Sequence, residues 1–93
     1  MTGYAVVTLD VTDTDMMARY REVAGPALAK HGASPLHVST APSLLEGDGP
    51  VPQIMVLLTF PNRESAENWH NDPTIAEVHA LRQGAGNSRI FLL

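Results

Sequence analysis

Residues Ile54 to Phe60 read Ile-Met-Val-Leu-Leu-Thr-Phe, apolar at six of seven positions. A short run of this kind, closed at once by Pro61, is a strand, and apolar residues at consecutive positions make it apolar on both faces. Ile54, Val56, Leu58 and Phe60 fall on one face, Met55 and Leu57 on the other. Tyr4 to Leu9 (YAVVTL) has the same character. Two such strands need cover on both sides of their sheet.

The segments between them supply half of that cover. Asp10 to Asp15 is a turn with N-cap candidates Thr12 and Asp13. Behind it Met16, Tyr20, Val23 and Ala27, flanked by Met17, Ala24 and Leu28, form one apolar face of a helix running to about His31. Pro26 cannot donate a backbone hydrogen bond, which predicts a kink or break near Gly25. Gly32 suits the left-handed residue that ends a helix. Leu36 to Thr40 reads as a second strand. Ala41 to Pro52 contains three prolines and two glycines, and reads as a strand tail at Leu44-Leu45 followed by a hairpin turn over Gly47-Asp48-Gly49. Asn62 is placed to cap a short helix, Arg63 to His70. Asp72-Pro73 begins another, a capping acid followed by proline at the first helical position. That helix carries Ile75, Val78, Leu81 and Arg82 and ends at Gly84, and Arg89 to Leu93 is the last strand.

The order β-α-β-β-α-β in 93 residues predicts one domain over residues 1–93, an α+β fold of ferredoxin-like type. Right-handed crossovers place both helices on one face of a four-stranded antiparallel sheet. The other face, several hundred Å² of partly apolar surface by strand dimensions, is left bare (about 4.8 Å between strands). A second copy packed sheet to sheet covers it, giving a homodimer. The alternatives are a monomer with an apolar face or a different protein as cover.

Net charge −4 and six scattered basic residues argue against nucleic acid as a partner. No run long enough to span a membrane occurs, and the first residues lack signal-peptide character. With no cysteine there is no disulfide framework or thiol chemistry. The cytoplasm is the expected compartment.

In its ordered motifs the chain resembles the DUF1330 family of the dimeric α+β barrel superfamily. The resemblance rests on Tyr4, on Val11-Thr12-Asp13 before a helix with Tyr20, on Gly25-Pro26-Ala27-Leu28 and on Lys30-His31-Gly32. It continues through Leu45-Glu46-Gly47-Asp48, Phe60-Pro61, Ser65-Ala66, Trp69, Asn71, Pro73 and Arg82. It implies the ferredoxin-like fold and the dimer, and no particular activity. The chain departs from the family pattern in carrying His70 and Ile75 where tyrosines are usual, and Gly32-Ala33 where two glycines are usual. The stretch Ser65 to His70 is similar to one in antibiotic-biosynthesis monooxygenases of the wider superfamily.

The usable cavity of such a fold lies between sheet and helices. His70, one turn beyond Ala66, is a candidate acid–base group; its simpler reading is an exposed residue near a helix end. Glu46 is a second candidate for proton transfer if buried, and otherwise a solvated turn residue or a partner across the dimer. Arg82 could anchor a carboxylate or enolate, or pair with Glu46 or Asp10 to hold its helix to the sheet. His79 shares a helix face with Arg82 and Ile75. Trp69, Asn71 and His37 complete the candidate ligand contacts, with Trp69 and Tyr20 read as core ahead of stacking platforms, and His31 as a helix cap. The dispersed histidines lack metal-site spacing, so no metal is expected. The superfamily resemblance, with the Trp69-His70 stretch, implies as the leading reading a cofactor-free enzyme acting on an apolar or aromatic carbonyl compound. The alternatives are a non-catalytic ligand-binding homodimer and a pure assembly module.

Overall fold

A computed structural model describes residues 1–93. Strand β1 (Gly3–Val11) leads to helix α1 (Thr14–Ala29), followed by β2 (Ser34–Ser39) and β3 (Ile54–Phe60). Helix α2 (Arg63–Asn71), a 3₁₀ turn (Pro73–Ile75), helix α3 (Ala76–Ala85) and β4 (Gly86–Leu92) complete it. The strands form one antiparallel sheet in the order β2-β3-β1-β4, so the two double-sided apolar strands are central. This is the ferredoxin-like α+β fold expected.

Register fixes what each face carries. Ala5 pairs with Leu58 and Val7 with Val56, and these point toward the helices; Ala5, Val7, Leu9, Leu58 and Phe60 are buried there. Val6 pairs with Leu57 on one side and Phe91 on the other, on the face no helix covers. Tyr4, Thr8, Met55 and Arg89 share that open face.

The helix ends follow local chemistry. Asp13 accepts from the Met16 amide at 3.0 Å and Asn62 from the Ser65 amide at 2.8 Å, each a side-chain N-cap. Asp72 caps the 3₁₀ turn at the Thr74 amide, 2.9 Å, with Pro73 in the first position. Gly32 adopts φ 68°, as a helix-ending glycine does.

Four expectations need correction. Helix α1 runs without a break through Pro26. The missing donor frees the carbonyl of Glu22, and Glu22, Gly25 and Pro26 all lie on the exposed side, where water satisfies it. Strand β2 starts at Ser34 rather than Leu36 and is irregular between Pro35 and His37. No strand forms at Leu44-Leu45; both are exposed, Leu45 at 98%. His31 does not cap α1 but reaches Asp72, Nε2 to Oδ2 2.8 Å.

Candidate functional site

Trp69 organises the space between helices and sheet. Ala66 and Trp69 are the buried residues of α2, one turn apart, which turns the indole inward. It lies 5.7 Å from the Phe60 ring, tilted by 53°, and meets the His79 imidazole edge-on at 4.8 Å. His79 and Arg82, three apart on α3, turn inward with Ala85. The Arg82 guanidinium carbon sits 5.5 Å from the Trp69 ring centre and 5.8 Å from that of Tyr20 on α1.

Two cavities flank this cluster. The larger, about 340 Å³, lies between α1 and strands β1, β2 and β3. Its wall is mostly hydrocarbon, including Val7, Leu28 and Val56, with Tyr20 and Thr40 adding hydroxyls. Its only charged lining residues are Arg21 and Arg82, so an acidic protein presents a cationic chamber. The smaller cavity, about 220 Å³, lies between α2 and strands β1 and β4, and is edged by Trp69, His70, Asn71 and Glu67.

Arg82 is 2% exposed and makes no ion pair, so pairing with Glu46 or Asp10 is not its role. Asp10 instead accepts from the Gln53 amide at 2.9 Å, and Glu46 is exposed in the loop between β2 and β3. The Nε and Nη1 atoms of Arg82 are buried without a hydrogen-bond partner. His79 donates Nε2–H to the Trp69 carbonyl at 3.0 Å, which leaves Nδ1 as a buried, unpartnered acceptor. Burial pushes the His79 pKa below its ordinary value, aided by the nearby Arg82 charge, against the opposing pull of the Trp69 carbonyl. The ring is therefore held neutral at physiological pH.

The candidates thus divide. Arg82 lines the larger cavity; His70, Trp69 and Asn71 line the smaller one, where His70 is exposed. The His70 and His79 rings are 5.4 Å apart, which links the smaller cavity to the buried cluster. His37 pairs with Leu57 and so lies on the open face, away from both cavities. No three His, Asp or Glu side chains converge as a metal-binding group. The reading by residue type missed Arg21 and Thr40 as lining residues; Tyr20, read as core, packs against the Leu9, Met17 and Ala85 cluster and also lines the chamber. An available signal was a tyrosine–arginine pair at the border of an apolar helix face whose other members are Met17, Ala24 and Leu28.

The fold and its chamber define a ferredoxin-like α+β protein of the kind that also occurs as dimers. The chain belongs to the DUF1330 family (Domain of unknown function), whose profile matches residues 2–93. No curated protein matches it. Among solved structures, it is similar to a protein of unknown function from Rhodopseudomonas palustris at TM-score 0.79 and 16% identity, over 99% of this chain and 80% of the other. A dimeric ferredoxin-like protein of unknown function from Jannaschia sp. CCS1 aligns at TM-score 0.70 and 12% identity, over 100% and 98%. SnoaB, a cofactor-independent oxygenase from Streptomyces nogalater, aligns at TM-score 0.60 and 10% identity, over 99% and 88%. At these identities the likeness is one of fold. No helix is long and apolar enough to cross a membrane.

Proposed function

We propose that residues 1–93 act as a single-domain homodimer that binds a small, largely apolar molecule between α1 and the sheet. The carrying observation is the cavity of about 340 Å³ with its hydrocarbon wall and buried Arg82. That volume is within the range of small-molecule sites, roughly 300–1,000 Å³. Leu57, Val6 and Phe91 on the open face support pairing through the sheet, on the side away from the cavity.

A test uses the neutral fluorophore N-phenylnaphthylamine. Saturable enhancement is expected with the wild type and its loss with Ala24→Phe, which fills the chamber from α1. Absence of saturable binding to a folded wild type would sink the reading.

Catalysis without a cofactor is a second reading, favoured by His70 at the mouth of the smaller cavity beside Trp69 and Asn71. It would move a proton on a carbonyl compound and so isomerise or cyclise it, or form a carbanion that dioxygen oxygenates, with His70 as acid–base group and Asn71 holding an oxyanion; Arg82 lines the other cavity. SnoaB, of the same fold, is a cofactor-independent oxygenase. Glu46 has no place near either cavity wall. The His70→Ala variant is expected to retain ligand binding and lose turnover; full turnover would remove His70 from the chemistry.

A further inference from the structure

A guanidinium stays protonated at any physiological pH and carries five N–H donors in one plane. Burying it without a counter-charge is costly, and proteins ordinarily satisfy such a group with carboxylates or carbonyls. Arg82 has neither. It is 2% exposed, and its Nε and Nη1 are without partners. The faces of Tyr20 and Trp69 at 5.8 and 5.5 Å attract the positive charge but do not occupy those in-plane donors.

No acid of the chain pairs with Arg82. Asp72 is held by Lys30, His31 and Thr74, and Asp10 by the Gln53 amide. The cavity that Arg82 lines contains no acid, and its other charged residue is Arg21. The open sheet face, where a second copy would sit, is on the opposite side of the sheet.

We propose that the missing partner is the ligand: the larger cavity takes an organic carboxylate on an apolar body, with Arg82 pairing the carboxylate. This deepens the binding reading above and rests on it. A planar guanidinium fork matches a carboxylate in two parallel hydrogen bonds. Val7, Leu28 and Val56 suit a hydrocarbon or aryl body, not a second charged group.

The test compares naphthoate with naphthamide, equal in shape and different in charge, by calorimetry at neutral pH. The wild type should bind naphthoate about tenfold or more tightly than naphthamide, the size expected for hydrogen bonds to a charged group. The Arg82 Nε–H nuclear magnetic resonance signal should move further downfield with naphthoate than with naphthamide. Arg82→Met should remove the preference for naphthoate over naphthamide. Equal affinities in the wild type overturn the carboxylate inference while the cavity reading stands. Failure of both probes and of N-phenylnaphthylamine overturns both. The wild-type comparison needs no variant to fold.

Discussion

The imidazole of His79 stands edge-on to the indole of Trp69, ring centres 4.8 Å apart and planes at 81°, while its Nε2 donates to that residue's carbonyl at 3.0 Å. One side chain thus joins α3 to α2 through both its ring edge and its proton. The contact is made through Nε2–H, and burial favours the neutral ring by lowering the pKa, against the opposing pull of that carbonyl.

The consequence is acid lability with a defined sign. A histidine whose folded pKa lies below its unfolded value, 6.5, leaves the unfolded state with more bound protons. Its stabilisation is complete above that value and declines as pH falls from it toward the folded pKa. Urea midpoints measured across that window should fall on acidification. His79→Phe, which keeps an edge-on ring, should flatten that decline, although it leaves the Trp69 carbonyl unpaired. An unchanged slope in that variant would place the titration elsewhere.

Asp72 governs a second, more acidic window. Lys30 chiefly, then Thr74 and His31, hold its carboxyl well below the usual carboxylate range. Lys30 Nζ and His31 Nε2 both approach Oδ2 at 2.8 Å, tying the end of α1 to the start of the 3₁₀ turn. Here the folded pKa is depressed, so the stabilisation is present above 3.8 and lost as pH falls below it toward the folded value. Asp72→Asn should keep much of the cap to Thr74, lower the melting temperature at neutral pH, and abolish the loss below 3.8. A parallel pH profile would contradict this.

Two glycines two residues apart should respond in opposite ways. A Cβ on Gly86 would lie 1.8 Å from the Asp10 carbonyl oxygen, a backbone atom that cannot withdraw without opening the β1–β4 pair. The same corner holds the Thr12 and Asp13 amides on the Ala85 carbonyl at 2.8 and 3.0 Å. Gly86→Ala should cost about 3 kcal/mol or more. A Cβ on Gly84 would meet the Met16 Cε at 2.3 Å, but that is the free end of a flexible chain. Helix propensity offsets its displacement, so Gly84→Ala should change stability by less than about 1 kcal/mol. Chemical denaturation of both variants checks the contrast.

What was legible in the sequence follows from where each signal resides. Ile54 to Phe60 and Tyr4 to Leu9 carry their burial in residue type alone, so the central strands and their two apolar faces could be read directly, while which face the helices cover could not. The caps at Asn62 and Asp72 are local and equally readable. The chamber is not local. Arg82 differs from any helical arginine only because no acid pairs with it in the folded chain, which the tertiary arrangement decides and the neighbouring sequence does not. His37 had no assignable face because the irregularity between Pro35 and His37 shifts the register of its strand. Pro26 misled because its cost depends on whether water reaches the Glu22 carbonyl, which only the packing of α1 decides.

The proposed homodimer would turn on Leu57, which sits opposite Val6 near the middle of the open face, with Phe91 beyond. Sheet-to-sheet pairing would put these side chains at the centre of the interface, where removal from water drives association. Light scattering after size exclusion should find the wild type dimeric at micromolar concentration. Leu57→Lys would bury an unpaired ammonium in that contact, a loss of about 3 kcal/mol or more, which is over a hundredfold in dissociation constant. The variant should therefore elute as a folded monomer, since Leu57 faces away from the helix-side core. Binding of N-phenylnaphthylamine should survive, because the chamber is walled by α1 and the opposite side of the sheet. A monomeric wild type, or a Leu57→Lys protein that still dimerises, would refute pairing through this face.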